Sequence, residues 1–185
     1  PRRGGRVDAA ARDDRAGGER RRQVVVEREV LRQRPVEIEA LVERHESLDA
    51  AAAAIRAVRR RETLRIAMGA VLGELGIEEV SQGLSELTEA YLLGLLQAVR
   101  QLAPEVVNGT RLSLLVDLGI IAMGRFGGGE LGFGSDADVM FVHEALPGVD
   151  ANDAQKAAEL VVDLLRTHSA DFTLEFELDL DLRPE

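Results

Sequence analysis

Two periods of apolar residues run through this chain, and the change from one to the other divides it. From Pro35 to about Gly76 the apolar positions recur at helical spacing. Pro35 suits the first turn of a helix carrying Ile38, Leu41 and Val42. Ser47 or Asp49 is placed to cap a second helix, with Ile55, Val58, Leu64, Ile66, Val71 and Leu75 along it and Gly76 as its stop. The next pattern is the most regular. Ile77, Val80, Leu84, Leu87, Tyr91, Leu95, Val99 and Leu102 fall three or four residues apart and form one stripe. Pro104 ends it. Such helices must pack on one another or on the domain C-terminal to them; a partner-binding helix would show the same stripe.

After Asn108-Gly109 the period becomes two. Leu114–Met123 reads as a buried strand, a glycine-rich turn comes next, and Asp136–His143 reads as a second strand. Residues 153–168 have a helical pattern with Ala157, Leu160, Val161, Leu164 and Leu165 inward. Thr173–Leu182 alternates, with Leu174, Phe176, Leu178, Leu180 and Leu182 on one face and Glu175, Glu177, Asp179 and Asp181 on the other. All five Phe lie after residue 125, which assigns the dense core to this part. The expected class is α+β, with a segment 1–34, a helical segment 35–104 and a strand-containing domain 105–185.

Composition excludes several functions. The 185 residues include no Cys, so disulfides and thiolate metal sites are impossible. No uninterrupted apolar run approaches the ~18 residues of a membrane span, and none near Pro1 resembles a signal peptide. The expectation is a cytoplasmic protein with no membrane and no nucleic acid as partner, since a net charge of −10 disfavours general nucleic-acid binding. The charge is uneven: +5 in residues 1–34, −4 in 35–100 and −11 in 101–185. Residues 1–34 carry one apolar patch, Val24–Val26, and are too polar to bury a core, though a basic contact arm has the same composition. Arg59, Arg60 and Arg61 point about 100° apart on a helix and read as a solvated face rather than a phosphate patch.

The chemistry lies in the acidic part. Asp136 and Asp138 project from the same face of a strand, one residue between them. Carboxylates that close repel unless a cation sits between them, and hard oxygen ligands of this kind suit Mg²⁺, which completes its shell with water and substrate phosphates. Gly134-Ser135 precede them, and Gly124 to Gly134 (GRFGGGELGFG) offer backbone N–H groups to a triphosphate. A third carboxylate from the acidic face of Thr173–Leu182 would complete a two-metal site for in-line nucleotidyl transfer. Each piece alone has a plain structural explanation; strand, glycine turn, Ser-Asp-x-Asp and acid-faced strand together are more specific. Gly127–Gly132 also matches G-x-G-x-x-G, but Asp136 comes only four residues after Gly132, too soon for the crossover helix of a dinucleotide fold. No Lys follows the glycines, which excludes a Walker loop. His143 reads as a surface histidine at a strand end.

IIAMGRFGGGELGFGSDADVMFVHE (Ile120–Glu144) and ELDLDLRPE (Glu177–Glu185) resemble the bifunctional glutamine synthetase adenylyltransferase/adenylyl-removing enzymes, polymerase-β-like nucleotidyltransferases, and the wording is most similar to actinobacterial members. The likeness extends more loosely through AIRAVRRRETLRIA (Ala54–Ala67) and residues 77–102, so it covers roughly 35–185 and leaves out 1–34. It implies a mixed sheet with helices. It also implies AMP transfer from ATP to a tyrosine of glutamine synthetase, with a PII-type signalling protein as a regulator. ELGFGSDAD is more similar to the adenylylating half than to the adenylyl-removing, phosphorolytic half. Carried over by position, Asp136, Asp138 and Asp179 hold two Mg²⁺ and Asp179 helps deprotonate the tyrosine, with Glu177 and Asp181 as neighbours. Gly124, Arg125, Gly127, Gly128, Gly134 and Ser135 meet the nucleotide. Arg125 stands where the superfamily has Ser, which leaves Ser135 to take part of that role. The family continues beyond Leu182-Arg183-Pro184-Glu185, so the resemblance implies a domain cut short at its C-terminus. A fragment that only docks on glutamine synthetase is the non-catalytic alternative.

Overall fold

The computed structural model describes residues 40–179. Expectations that fall on residues 1–39 and 180–185 lie outside the described residues: the polar segment, the helix start at Pro35, and Leu180, Asp181 and Leu182. Among the described residues no helix is long and apolar enough to cross a membrane.

A helical turn at 40–44 brings Val42 into the core. Helix α1 (Leu48–Val71) starts at Ser47, whose hydroxyl accepts from the Ala50 N–H at 3.3 Å. It buries Ile55, Val58 and Ile66, but Leu64 and Val71 face outward. It stops earlier than the sequence suggests. Gly73, at φ 72, turns the chain after the Leu72 cap, and Gly76 instead begins helix α2 (Ile77–Leu102), its N–H donating to the Glu79 carboxylate. On α2 the stripe from Val80 to Val99 is buried as expected; Ile77 is exposed.

A hairpin, β1 (Val106–Val107) with β2 (Thr110–Arg111), turns at Asn108-Gly109. Leu112–Leu114 form a 3₁₀ turn, so the first long strand, β3 (Val116–Ala122), starts two residues later than expected. A four-residue helix α3 (Gly124–Gly127) opens the glycine-rich loop, and β4 (Ala137–Ala145) comes after it. Helix α4 (Ala151–Ser169) is capped by Asp150, which accepts from the Asn152 N–H. β5 (Leu178–Asp179) closes the order β3-β4-β5. β3 and β4 are antiparallel, which a dinucleotide fold would not allow; the return through α4 makes β5 parallel to β4. The result is an α+β fold with a mixed sheet, consistent with a nucleotidyltransferase.

One core joins helices and sheet. Its largest fully buried side chains include Tyr91, Ile55, Leu95 and Leu165. The Phe residues do not mark the core as expected: Phe126 and Phe176 are buried, but Phe133 and Phe172 are exposed. The dense core is shared with α1 and α2, whose long apolar stripes pack against the sheet and α4. Val116, Leu118, Ala137 and Val139 are buried in the sheet. The alternate positions Ile121, Met140 and Val142 are substantially exposed, so the opposite face of the sheet is open.

Candidate active site

Asp138, on β4, lies on that open face, in phase with Met140 and Val142. Asp136 precedes the strand by one residue and is exposed; Asp138 is half-buried. The parallel ladder pairs Ala137 with Leu178 and Asp138 with Asp179, and the Ala137 N–H donates to the Glu177 carbonyl at 3.1 Å. Register partners share a face, so half-buried Asp179 stands beside Asp138, strands lying about 4.8 Å apart. Leu178 and Phe176 are buried and Glu177 is exposed, as the alternation required. Among the described residues no three acidic or histidine side chains already converge as a metal cage. Mg²⁺ held through one or two carboxylates, water and substrate phosphates needs no such cage.

Gly124 explains how the turn approaches the acids. At φ 49, a Cβ on Gly124 would overlap the Asp138 carboxylate oxygen Oδ2, so glycine is required on both counts. The Met123 N–H donates to the Asp138 carbonyl at 2.9 Å, fixing this corner. Three N–H groups, of Gly124, Arg125 and Phe126, begin α3 outside its internal ladder. The N–H groups of Gly127 and Gly128 are instead committed within the turn, to the carbonyls of Met123 at 2.7 Å and Gly124 at 3.1 Å. Arg125 is exposed and its Nε donates to the Glu130 carbonyl. Gly134, at φ 72, leads into Ser135, whose Oγ accepts from the Gly132 N–H at 3.1 Å and retains its own proton to donate. The loop is tied to the helices: Ser85 on α2 accepts from the Leu131 N–H and donates to the Ser81 carbonyl. His143 is exposed on β4, well along the strand from these groups.

The helical arginines depart from expectation in part. Arg61 is exposed, as a solvated face requires, and pairs with Glu62; Arg59, Arg60 and the preceding Arg56 instead reach the segment leading to β5. Arg56 donates to the His168 carbonyl at 2.6 Å, and Arg60 donates to both oxygens of Asp171 at 3.1 and 3.2 Å. The Arg59 guanidinium lies 4.3 Å from the Phe176 ring centroid and 5.4 Å from that of Tyr91, and donates to the Leu174 carbonyl. Burial lowers the Arg59 pKa, with Tyr91 and Asp171 opposing. Tyr91 donates to the Ser169 carbonyl at 2.7 Å, and burial raises its phenol pKa. The signal for this cluster was Tyr91 itself: a hydroxyl within a buried stripe demands a partner. The local run of arginines carries no trace of partners so distant in sequence.

The chain matches the family model for glutamate-ammonia ligase adenylyltransferase over residues 12–185, so the likeness reaches into the segment 1–34 that the motifs left outside. It is similar to the bifunctional glutamine synthetase adenylyltransferase/adenylyl-removing enzyme of Leifsonia xyli, 47% identical over 85% of this chain and 14% of the relative. The enzymes of the same name from Corynebacterium glutamicum (41%, over 80% and 14%) and Streptomyces avermitilis (40%, over 92% and 17%) are also similar. The chain thus spans less than a fifth of the length of these relatives. By that match, this chain belongs to the glutamate-ammonia ligase adenylyltransferase family.

Proposed function

We propose that this domain transfers AMP from ATP to a tyrosine hydroxyl of glutamine synthetase, releasing pyrophosphate, and that it is the adenylylating site of a longer enzyme. The observation that supports the reading is the pairing of Asp138 with Asp179, which sets a second carboxylate beside Asp138, itself two residues after Asp136. Asp136, Asp138 and Asp179 would hold Mg²⁺, which neutralises phosphate charge and lowers the pKa of a bound oxygen. The missing Cβ of Gly124 leaves room for the Asp138 carboxylate against the turn. The N–H groups at the start of α3 and the Ser135 hydroxyl donate to phosphate oxygens. The tyrosine oxygen attacks the α-phosphorus, the bond to the β-phosphate oxygen breaks, and the tyrosine proton passes to Asp179. Glutamine synthetase as acceptor is supported by the names of the relatives; a PII-type protein as regulator is proposed on the sequence resemblance alone.

The test is incubation with α-labelled ATP, Mg²⁺ and unmodified glutamine synthetase. The reading predicts label on tyrosine and pyrophosphate release. Absence of label, with ADP formed from adenylylated glutamine synthetase and phosphate, would assign the removing reaction instead.

A further inference from the structure

Among the described residues, Leu178 and Asp179 pair with β4. The segment before β5 is held unusually well. Between residues 168 and 176, three backbone carbonyls and one carboxylate accept from side chains of α1 and α2. Arg56 serves the His168 carbonyl, Tyr91 the Ser169 carbonyl, Arg60 the Asp171 carboxylate and Arg59 the Leu174 carbonyl. Asp171 is buried and also accepts from the Thr173 and Leu174 N–H groups, which folds the turn onto its own side chain. Phe176 meets the Tyr91 ring edge-on at 5.2 Å, beneath the Arg59 guanidinium. Asp179 lies three residue steps, about 10 Å of extended chain, beyond Phe176.

We infer that Arg56, Arg59, Arg60 and Tyr91 are positioning residues: they fasten segment 168–176 so that β5 stays in register and Asp179 stands beside Asp138. None of them touches the nucleotide face; they act through the strand. The role of Asp179 in metal binding rests on the function proposed above, whereas the fastening of β5 does not.

Two readouts on the 185-residue chain separate these. The first is backbone deuterium exchange across residues 168–179, in wild type, Arg59→Gln, Arg59→Lys and Tyr91→Phe. The second is Mn²⁺ binding followed by the loss of its free electron-spin signal, in the same proteins with and without Asp179→Asn. Exchange at Leu178 and Asp179 should accelerate about tenfold or more in Arg59→Gln while α4 amides stay protected, with partial restoration in Arg59→Lys. Mn²⁺ affinity should fall about tenfold, the loss usual when a ligand's support is removed, and should fall no further in the Asp179→Asn background. Tyr91→Phe, which keeps the ring, carries the same test with a smaller change should Arg59→Gln not fold. Unchanged β5 exchange in both variants overturns the inference, as does an equal Mn²⁺ loss whether or not Asp179 is present. Wild type that binds no Mn²⁺ while β5 still loosens on substitution supports the fastening and overturns the metal reading.

Discussion

The helical half and the sheet half of this domain handle their side chains in opposite ways. Along α2, fourteen residues are buried, and the face that meets α1 and α4 leaves almost no apolar side chain to solvent. The sheet has one face packed and one open, with Met140 and Val142 partly in water and Asp138 paired in register with Asp179. The helices supply stability, and the sheet gives up part of its burial to present charge. The arginines of α1 link the two halves, because they hold the chain that brings Asp179 to the open face.

Several substitutions would break or sharpen this contrast. The largest effect expected is on activity. Asp138→Asn should lower label transfer to glutamine synthetase by on the order of 10³-fold. Its urea midpoint should stay level or rise, since a repelling charge is removed. In the helical half the reverse holds. Leu95, fully buried on α2, should cost about 2–5 kcal/mol as Leu95→Ala in chemical denaturation. Helices and sheet should unfold together, because they share one core.

Gly124→Ala sits where the two descriptions meet. Positive φ should cost about 1–2 kcal/mol, and the displaced Asp138 carboxylate should weaken Mg²⁺-dependent ATP binding more than Gly134→Ala does. The smallest effect is one of pH. Burial raises the Tyr91 phenol above its ordinary 10.0, so the unfolded chain releases that proton first as pH rises. Its contribution is complete below pH 10.0 and declines above it, by up to about 1.4 kcal/mol per pH unit. Urea midpoints at about pH 9 and about pH 11 should therefore differ less in Tyr91→Phe than in wild type.

Legibility followed the same division. The α2 stripe was readable almost residue by residue, because a 26-residue helix repeats its period many times. The lack of room for a crossover helix between Gly132 and Asp136 was readable from short spacing, and β3 and β4 are indeed not joined by one. Boundaries were less so: Gly73, not Gly76, ends α1, since either glycine satisfies the local pattern. Phe content was a poor guide to the core, because Phe133 and Phe172 sit exposed in loops. The partners of Arg56, Arg59 and Arg60 lie 111 to 115 residues away, and no local period encodes them.

The most direct test of a single three-carboxylate site is calorimetric titration of ATP with and without Mg²⁺, on wild type and on Asp136→Asn/Asp138→Asn. Wild type should bind ATP in a Mg²⁺-dependent manner, and the double variant should lose that dependence while melting as a folded protein. Equal Mg²⁺-dependent binding by the double variant would contradict the account.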